Sequence, residues 1–440
     1  MRVCRVLVFI LTISAGATAV ALAAETNTIQ VTPAFINALA EEARTNNPAL
    51  RAAAARVEAA SLNTGTVFTW DDPMARFGVM GAERSMRRDD GDLLYGVEQK
   101  LPLWGKPQAA RRMAQAGAKI GEATATLRNQ ELKRDLAKAV FKTALADRTI
   151  ALDRDDLHWL DTLLETTKRR YETGDATQAE VLRLQNEHSR RANQLETDTQ
   201  LLGQARMNLN RMLSRPLESP WPELQLPSVA GPVRYNEQLV KFAIQYEPEL
   251  KLRAEEIHEA EAAVDVSRRA RLPDLAAGAE MRQYSGDGDF RQSMVTLSVN
   301  LPWGNRKRYR VAIERDEARL RATRLDAADY ELGLRNEVHS LTVRIDAARR
   351  EALLYRDQIM PRSDAALAST RAAWETGRGM FRDVLEARRM VVEAQLMQSR
   401  AVTEQYEMLS ELVLCCGLGD LEALQMIGAT SDSENGGTKP

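Results

Sequence analysis

Two stretches of this chain alternate apolar and polar residues with a period of two. In the first, Phe77, Val79, Leu93, Tyr95, Val97 and Leu101 hold odd positions, and Arg76, Arg84, Glu98 and Lys100 hold even ones. In the second, Ala277, Ala279, Met281, Val295, Leu297 and Val299 are odd, while Glu280, Arg282, Gln292, Thr296, Ser298 and Asn300 are even. This period predicts strands with two unlike faces. The acidic, glycine-containing runs SMRRDDGD and SGDGD between them predict turns. Two hairpins follow, Met74–Arg84 with Leu93–Leu103 and Leu275–Tyr284 with Phe290–Leu301. Strands of about 10 residues suit a tilted crossing of a bilayer. In lipid every strand edge must be paired, so such a sheet must close. Four strands are too few, because transmembrane barrels start at about eight. A barrel shared by three copies, twelve strands around a wet bore, is the expected solution.

Elsewhere the pattern is helical. No proline lies between Pro107 and Pro216, and a proline inside a helix costs about 3 kcal/mol. One helix is expected from Lys106 to Tyr171, a turn at ETGDAT, and a second helix from Gln178 to Leu213. Val181, His188, Leu195, Leu202 and Leu209 fall seven apart, which is a coiled-coil seam. The second half predicts the same: Asn305–Trp374, a turn at ETGRG, then Phe381–Leu414, with Pro361 kinking the long helix or opening its hydrogen bonding. Single helices are also expected at Pro33–Leu62 and Asn236–Arg271. Pairs of shorter helices would then lie end to end along each long one.

The two halves are copies. Pro48 and Pro248, Pro73 and Pro273, and Pro102 and Pro302 each lie 200 residues apart. KLPLWGK at 100–106 answers NLPWGNR at 300–306, and YETG at 171–174 answers WETG at 374–377. The period is too long for a solenoid and implies two domain-sized repeats, set at 24–227 and 228–425, with a disordered tail at 426–440. Trp70, Trp104 and Trp303 stand at strand–helix junctions, where an interfacial aromatic belt would place them.

Composition narrows the functional class. The 440 residues carry a net charge of -2, which argues against a nucleic-acid partner. Arg2 and Arg5, the apolar run Val6–Ile13 and Ala21-Leu22-Ala23 predict a signal peptide over 1–23, hence export. No cysteine follows that cleavage site closely, so no lipid anchor is expected. Cys415 and Cys416 are adjacent and ill placed to bridge. His158, His188, His258 and His339 show no ligand spacing, and no phosphate loop or nucleophile motif occurs. The expectation is a non-enzyme without cofactor or metal.

The duplicated layout, the LPLWGK and LPWGNR strand exits and the segments YETGDATQAEVLRLQNE and WETGRGMFRDVLEARRM together resemble the TolC-like outer-membrane factor family. The resemblance implies a mainly α protein with transmembrane β: a homotrimer with a twelve-stranded barrel in outer-membrane lipid and a helical periplasmic tunnel. It implies a periplasmic adaptor and an inner-membrane pump as partners. It assigns adaptor docking to Thr173, Gly174, Asp175, Ala176, Thr177, Thr376, Gly377, Arg378, Gly379 and Met380. It places Asp383 and Glu386, with Glu180 as the first-half match, at the closed aperture. Gly379 stands where the family has a latching basic residue, flanked by Arg378 and Arg382. The strand exit and compact turns look most like the heavy-metal cation branch. A duct for drugs or secreted proteins, and a non-channel periplasmic scaffold, are the alternatives.

Overall fold

The computed structural model describes residues 28–67, 70–81, 91–285 and 288–418. The signal peptide, the first hairpin turn and the C-terminal tail lie outside the described residues.

Strand β1 (Thr28–Gln30) opens the chain, followed by α1 (Pro33–Asn46) and α2 (Pro48–Thr66). The single helix expected over Pro33–Leu62 is therefore broken. The Asn47 side chain accepts from Ala49 N at 2.8 Å, and Pro48 takes the first helical position of α2, a start signal that interrupts helix at the residue before proline. The antiparallel pair β2 (Met74–Met80) and β3 (Asp92–Leu101) comes next. Helix α3 (Lys106–Glu172) has 67 residues and is about 100 Å long. Helix α4 (Gln178–Leu213) returns antiparallel, and the short β4 (Glu223–Gln225) pairs with β1.

The second repeat follows the same plan. The helix expected over Asn236–Arg271 is broken into α5 (Glu237–Tyr246) and α6 (Pro248–Ala270), with Pro248 again opening the second piece. Strands β5 (Leu275–Tyr284) and β6 (Phe290–Val299) form the second hairpin. Helix α7 (Arg306–Leu354) runs through a π-turn at Tyr355–Ile359 into α8 (Met360–Glu375), and α9 (Phe381–Cys415) returns. The π-turn lies just before Pro361, which has no N–H to donate; the widened i→i+5 bonding absorbs that gap without ending the helix.

Helices α2 and α4 lie end to end along α3, and α6 and α9 along α7. The halves are joined by α3 against both α6 and α9. The main core sits where they meet, around Leu136, Val140, Phe141, Leu209, Leu213, Val338, Leu341, Ile345, Leu409 and Leu412. Loop 214–236 straps this waist. Asp147 accepts from Arg206 at 2.8 Å and from Leu224 N at 3.0 Å. Gln405 accepts from Ala230 N and donates to Ala230 O, both at 3.1 Å. Cys415 and Cys416 are free, and burial pushes both thiols up to about 12, so neither is a thiolate at neutral pH.

All four long strands form one sheet in the order β2-β3-β5-β6, leaving β2 and β6 as edges. Its odd face is apolar and open: Phe77, Val79, Val97, Val295 and Leu297 are exposed. Its even face is polar and less exposed. The arrangement is the reverse of a soluble sheet, which would cover its apolar face.

Candidate docking and gating tip

The long helices end together at the pole opposite the sheet. In the first repeat the α3 carbonyls are closed by Gly174 N to Tyr171 O at 3.1 Å and Asp175 N to Arg170 O at 2.8 Å. Gly174 has φ 86°, a left-handed turn that other residues adopt at a cost. Thr177 then caps α4 with a reciprocal box: its hydroxyl accepts from Glu180 N at 3.3 Å and its N–H donates to Glu180 Oε2 at 2.9 Å. In the second repeat Gly377 (φ 72°) makes the equivalent turn, and Arg378 N and Gly379 N both donate to Ala373 O. Gly379 is held close, since a Cβ there would stand 3.0 Å from the Ala373 Cβ.

The two turns lie side by side. Arg170 stacks its guanidinium 4.5 Å from the Trp374 ring centre and donates to Trp374 O at 3.2 Å. Trp374 in turn packs on Phe381, with Leu160, Leu163, Leu184 and Val384 completing a small tip core. Around it Thr173, Gly174, Asp175, Thr177, Thr376, Gly377, Arg378 and Met380 are exposed, and Ala176 and Gly379 half-buried. All ten expected docking residues thus share one end of the molecule.

Asp383 and Glu386 lie one turn apart on α9, exposed, opposite the buried Phe381, Val384 and Ala387. Arg382 approaches Asp383 at 3.9 Å. Glu180, at the equivalent place in the first repeat, has its carboxylate engaged in the α4 cap. Trp70, Trp104 and Trp303 are exposed at the sheet end, where the strands meet the helices. Trp104 holds a left-handed backbone (φ 63°), and its carbonyl accepts from Arg269 at 2.8 Å.

Below the tip lies a buried ionic cluster that the sequence reading did not single out. Arg388 of α9 donates to Asp156 of α3 at 2.8 Å, and Arg191 of α4 reaches Asp156 at 2.9 Å and Asp153 at 3.0 Å. Arg388 also lies over the Trp159 ring, and Arg389 pairs with Glu187 at 2.7 Å. Burial, together with a hydrogen bond shared with Asp198, pushes Asp153 up to about 6 against the pull of Arg191. Three helices from both repeats are thereby pinned by two guanidinium groups. Their charges occur at ordinary helical spacing, which in sequence reads as a solvated face.

Among the described residues no His, Cys, Asp or Glu cluster is arranged to hold a metal ion, and no helix is long and apolar enough to cross a membrane.

No curated protein matches the chain by sequence. Solved structures match its fold closely. OprN, described as an outer-membrane channel, superimposes with a TM-score of 0.76 at 17% identity, covering 88% of this chain and 90% of its own. The outer membrane protein VceC from Vibrio cholerae gives 0.75 at 16% identity, covering 88% and 97%. CusC gives 0.77 at 15% identity, covering 88% and 93%. The model of the outer membrane efflux protein family matches residues 39–215 and 239–418, one segment for each repeat. The chain therefore belongs to the outer membrane efflux protein family, an outer-membrane protein whose helices reach into the periplasm.

Proposed function

We propose that the chain is one third of a trimeric exit duct in a tripartite efflux system. The observation that carries this is the sheet. It presents an exposed apolar face, carries its charged residues on the other face, and leaves the outer edges of β2 and β6 free, at the end of helices about 100 Å long. Three chains of four strands each would supply twelve strands and remove every edge. The scaffold reading leaves the apolar face without a purpose. Trp70, Trp104 and Trp303 would then sit at the inner headgroup level.

The tips are the adaptor-docking surface: Thr173, Gly174, Asp175, Ala176 and Thr177, with Thr376, Gly377, Arg378, Gly379 and Met380. Asp383 and Glu386 from three chains ring the periplasmic aperture and favour cations there. Arg378 and Arg382 flank that ring, and Glu180 holds the neighbouring turn rigid. The duct is passive, not an enzyme; an inner-membrane pump drives the cargo through the adaptor. The heavy-metal cation reading rests on the strand exit and short turns alone. A metal-type pump gene beside this one would support it, and a protein-exporting ATPase gene would sink it in favour of secretion.

The test is reconstitution of the purified protein in planar bilayers. Discrete channels are expected, with conductance raised and cation preference lowered by Asp383→Ala with Glu386→Ala. A correctly assembled trimer that passes no current ends the duct reading.

A further inference from the structure

The even face of the sheet lies opposite the exposed apolar one. A Cβ added at Gly96 would lie 2.8 Å from Ala279 O, and one at Gly278 would lie 2.7 Å from Thr296 Oγ1. Both glycines are on the even face, at positions where a Cβ would have no room. In a closed barrel this is the bore.

Charged residues on this face are arranged around the glycines. Arg76, Gly96 and Glu280 stand opposite one another across β2, β3 and β5, while Glu98 stands opposite Gly278. Glycine leaves room for long side chains to lie along the wall. Arg76 pairs with Glu98, Arg282 approaches Glu280 at 3.5 Å, and Arg291 meets Asp92 at 2.6 Å.

The pairs are balanced in charge but not in exposure. The Arg76 side chain is 57% exposed against 11% for Glu98. Arg291 is 37% exposed against 5% for Asp92, and Arg282 is 28% against 21% for Glu280. In the Arg76–Glu98 and Arg291–Asp92 pairs the guanidinium is clearly the more exposed partner, while Arg282 and Glu280 are exposed to similar extents. A passing solute meets the donors of arginine first, and arginine is the side chain best shaped to bind carboxylate or phosphate groups.

We propose that Arg76, Arg282 and Arg291, backed by Glu98, Glu280 and Asp92, make the barrel bore a guanidinium-lined filter that favours anions and solutes bearing anionic groups. It rests on the duct reading and adds to it: the barrel selects opposite in sign to the carboxylates at the tip. Cargo passing both would carry groups of both signs or be neutral overall.

The experiment is the reversal potential of reconstituted trimers under a potassium chloride gradient. It is read in a background carrying Asp383→Asn and Glu386→Asn, so that the tip does not mask the barrel. Anion preference is expected there. Arg76→Gln with Arg282→Gln should move the reversal potential towards the cation side, and Glu98→Gln with Glu280→Gln should move it further to the anion side. Arg76→Lys with Arg282→Lys keeps the charge and should hold the starting value, which separates charge loss from a damaged barrel. A reversal potential unmoved by either glutamine pair, in trimers that conduct, overturns the filter and leaves the duct intact. Trimers that pass no current overturn both.

Discussion

Arg388 in α9 and Asp156 in α3 are joined at 2.8 Å across 232 residues of sequence, and both are largely shielded from water. The bond ties the second repeat's return helix to the first repeat's long helix, below the tip where the aperture is proposed. Removing one partner from a buried pair leaves the other charge uncompensated, at a cost of about 3–5 kcal/mol. Arg388→Ala should therefore lower the thermal midpoint followed by helical circular dichroism. It should also raise the open time in bilayers, because α9 carries Asp383 and Glu386. Arg388→Lys retains the charge without the planar fork and should fall between the two.

The same cluster should give the tip a pH dependence. Asp153 keeps its proton up to about 6 when folded, mainly because burial opposes its charge. An unfolded aspartate releases its proton near pH 4. Between those values the folded state holds more protons, so this group's contribution to stability falls as pH rises through the window. Asp198, sharing the hydrogen bond, and Arg191, opposing the shift, are the groups that set it. Compared with Asp153→Asn, the wild type should lose stability between about pH 4 and 6 and show a constant difference above pH 7. Denaturant midpoints measured for both proteins across that range provide the check.

At the waist, Gln405 is fully buried and grips both backbone groups of Ala230. Its partner lies 175 residues away. Gln405→Leu preserves bulk but orphans a buried N–H and C=O, which costs about 1–3 kcal/mol. The expected signs are a lower melting point and faster proteolytic cleavage in loop 214–236, with the sheet end unaffected. Hydrogen exchange at Ala230 reports the loss directly.

These contacts mark where sequence reading succeeds and where it stops. The long helices were legible because proline is absent from 108–215 and an apolar seam repeats every seven residues, of which Leu202 and Leu209 are buried and Val181, His188 and Leu195 half-buried. The strands were legible because Phe77, Val79, Val295 and Leu297 keep parity through both hairpins. The breaks before Pro48 and Pro248 were missed, although Asn47 and Glu247 each precede a proline and cap the helix it opens. The tip turns were legible because turn chemistry is local: ETGDAT and ETGRG each carry a glycine, and Gly174 and Gly377 both hold a positive φ. Arg170, Arg388 and Gln405 were not found because their partners are 204, 232 and 175 residues away. Nothing near them in sequence distinguishes them from solvated helix positions.

Glycines on the even face of the sheet offer a graded test of whether that face turns inward. A Cβ at Gly96 meets backbone, Ala279 O at 2.8 Å and Glu280 Cα at 3.1 Å. These atoms belong to the β3–β5 ladder, which joins the two hairpins. They cannot yield without distorting the sheet, and overpacking of this kind costs about 1–3 kcal/mol. A Cβ at Gly78 meets only the Leu94 side chain, nearest atom 3.5 Å away, an ordinary contact. Gly96→Ala should therefore reduce the heat-resistant trimer fraction on gels while leaving the helical dichroism of the tunnel near wild type. Gly78→Ala, on the same face one strand away, should assemble normally. Equal behaviour of the two variants would mean that the even face is not the crowded, inward side. A larger residue at position 96, such as Val, should abolish assembly, because its bulk is added against the same backbone atoms.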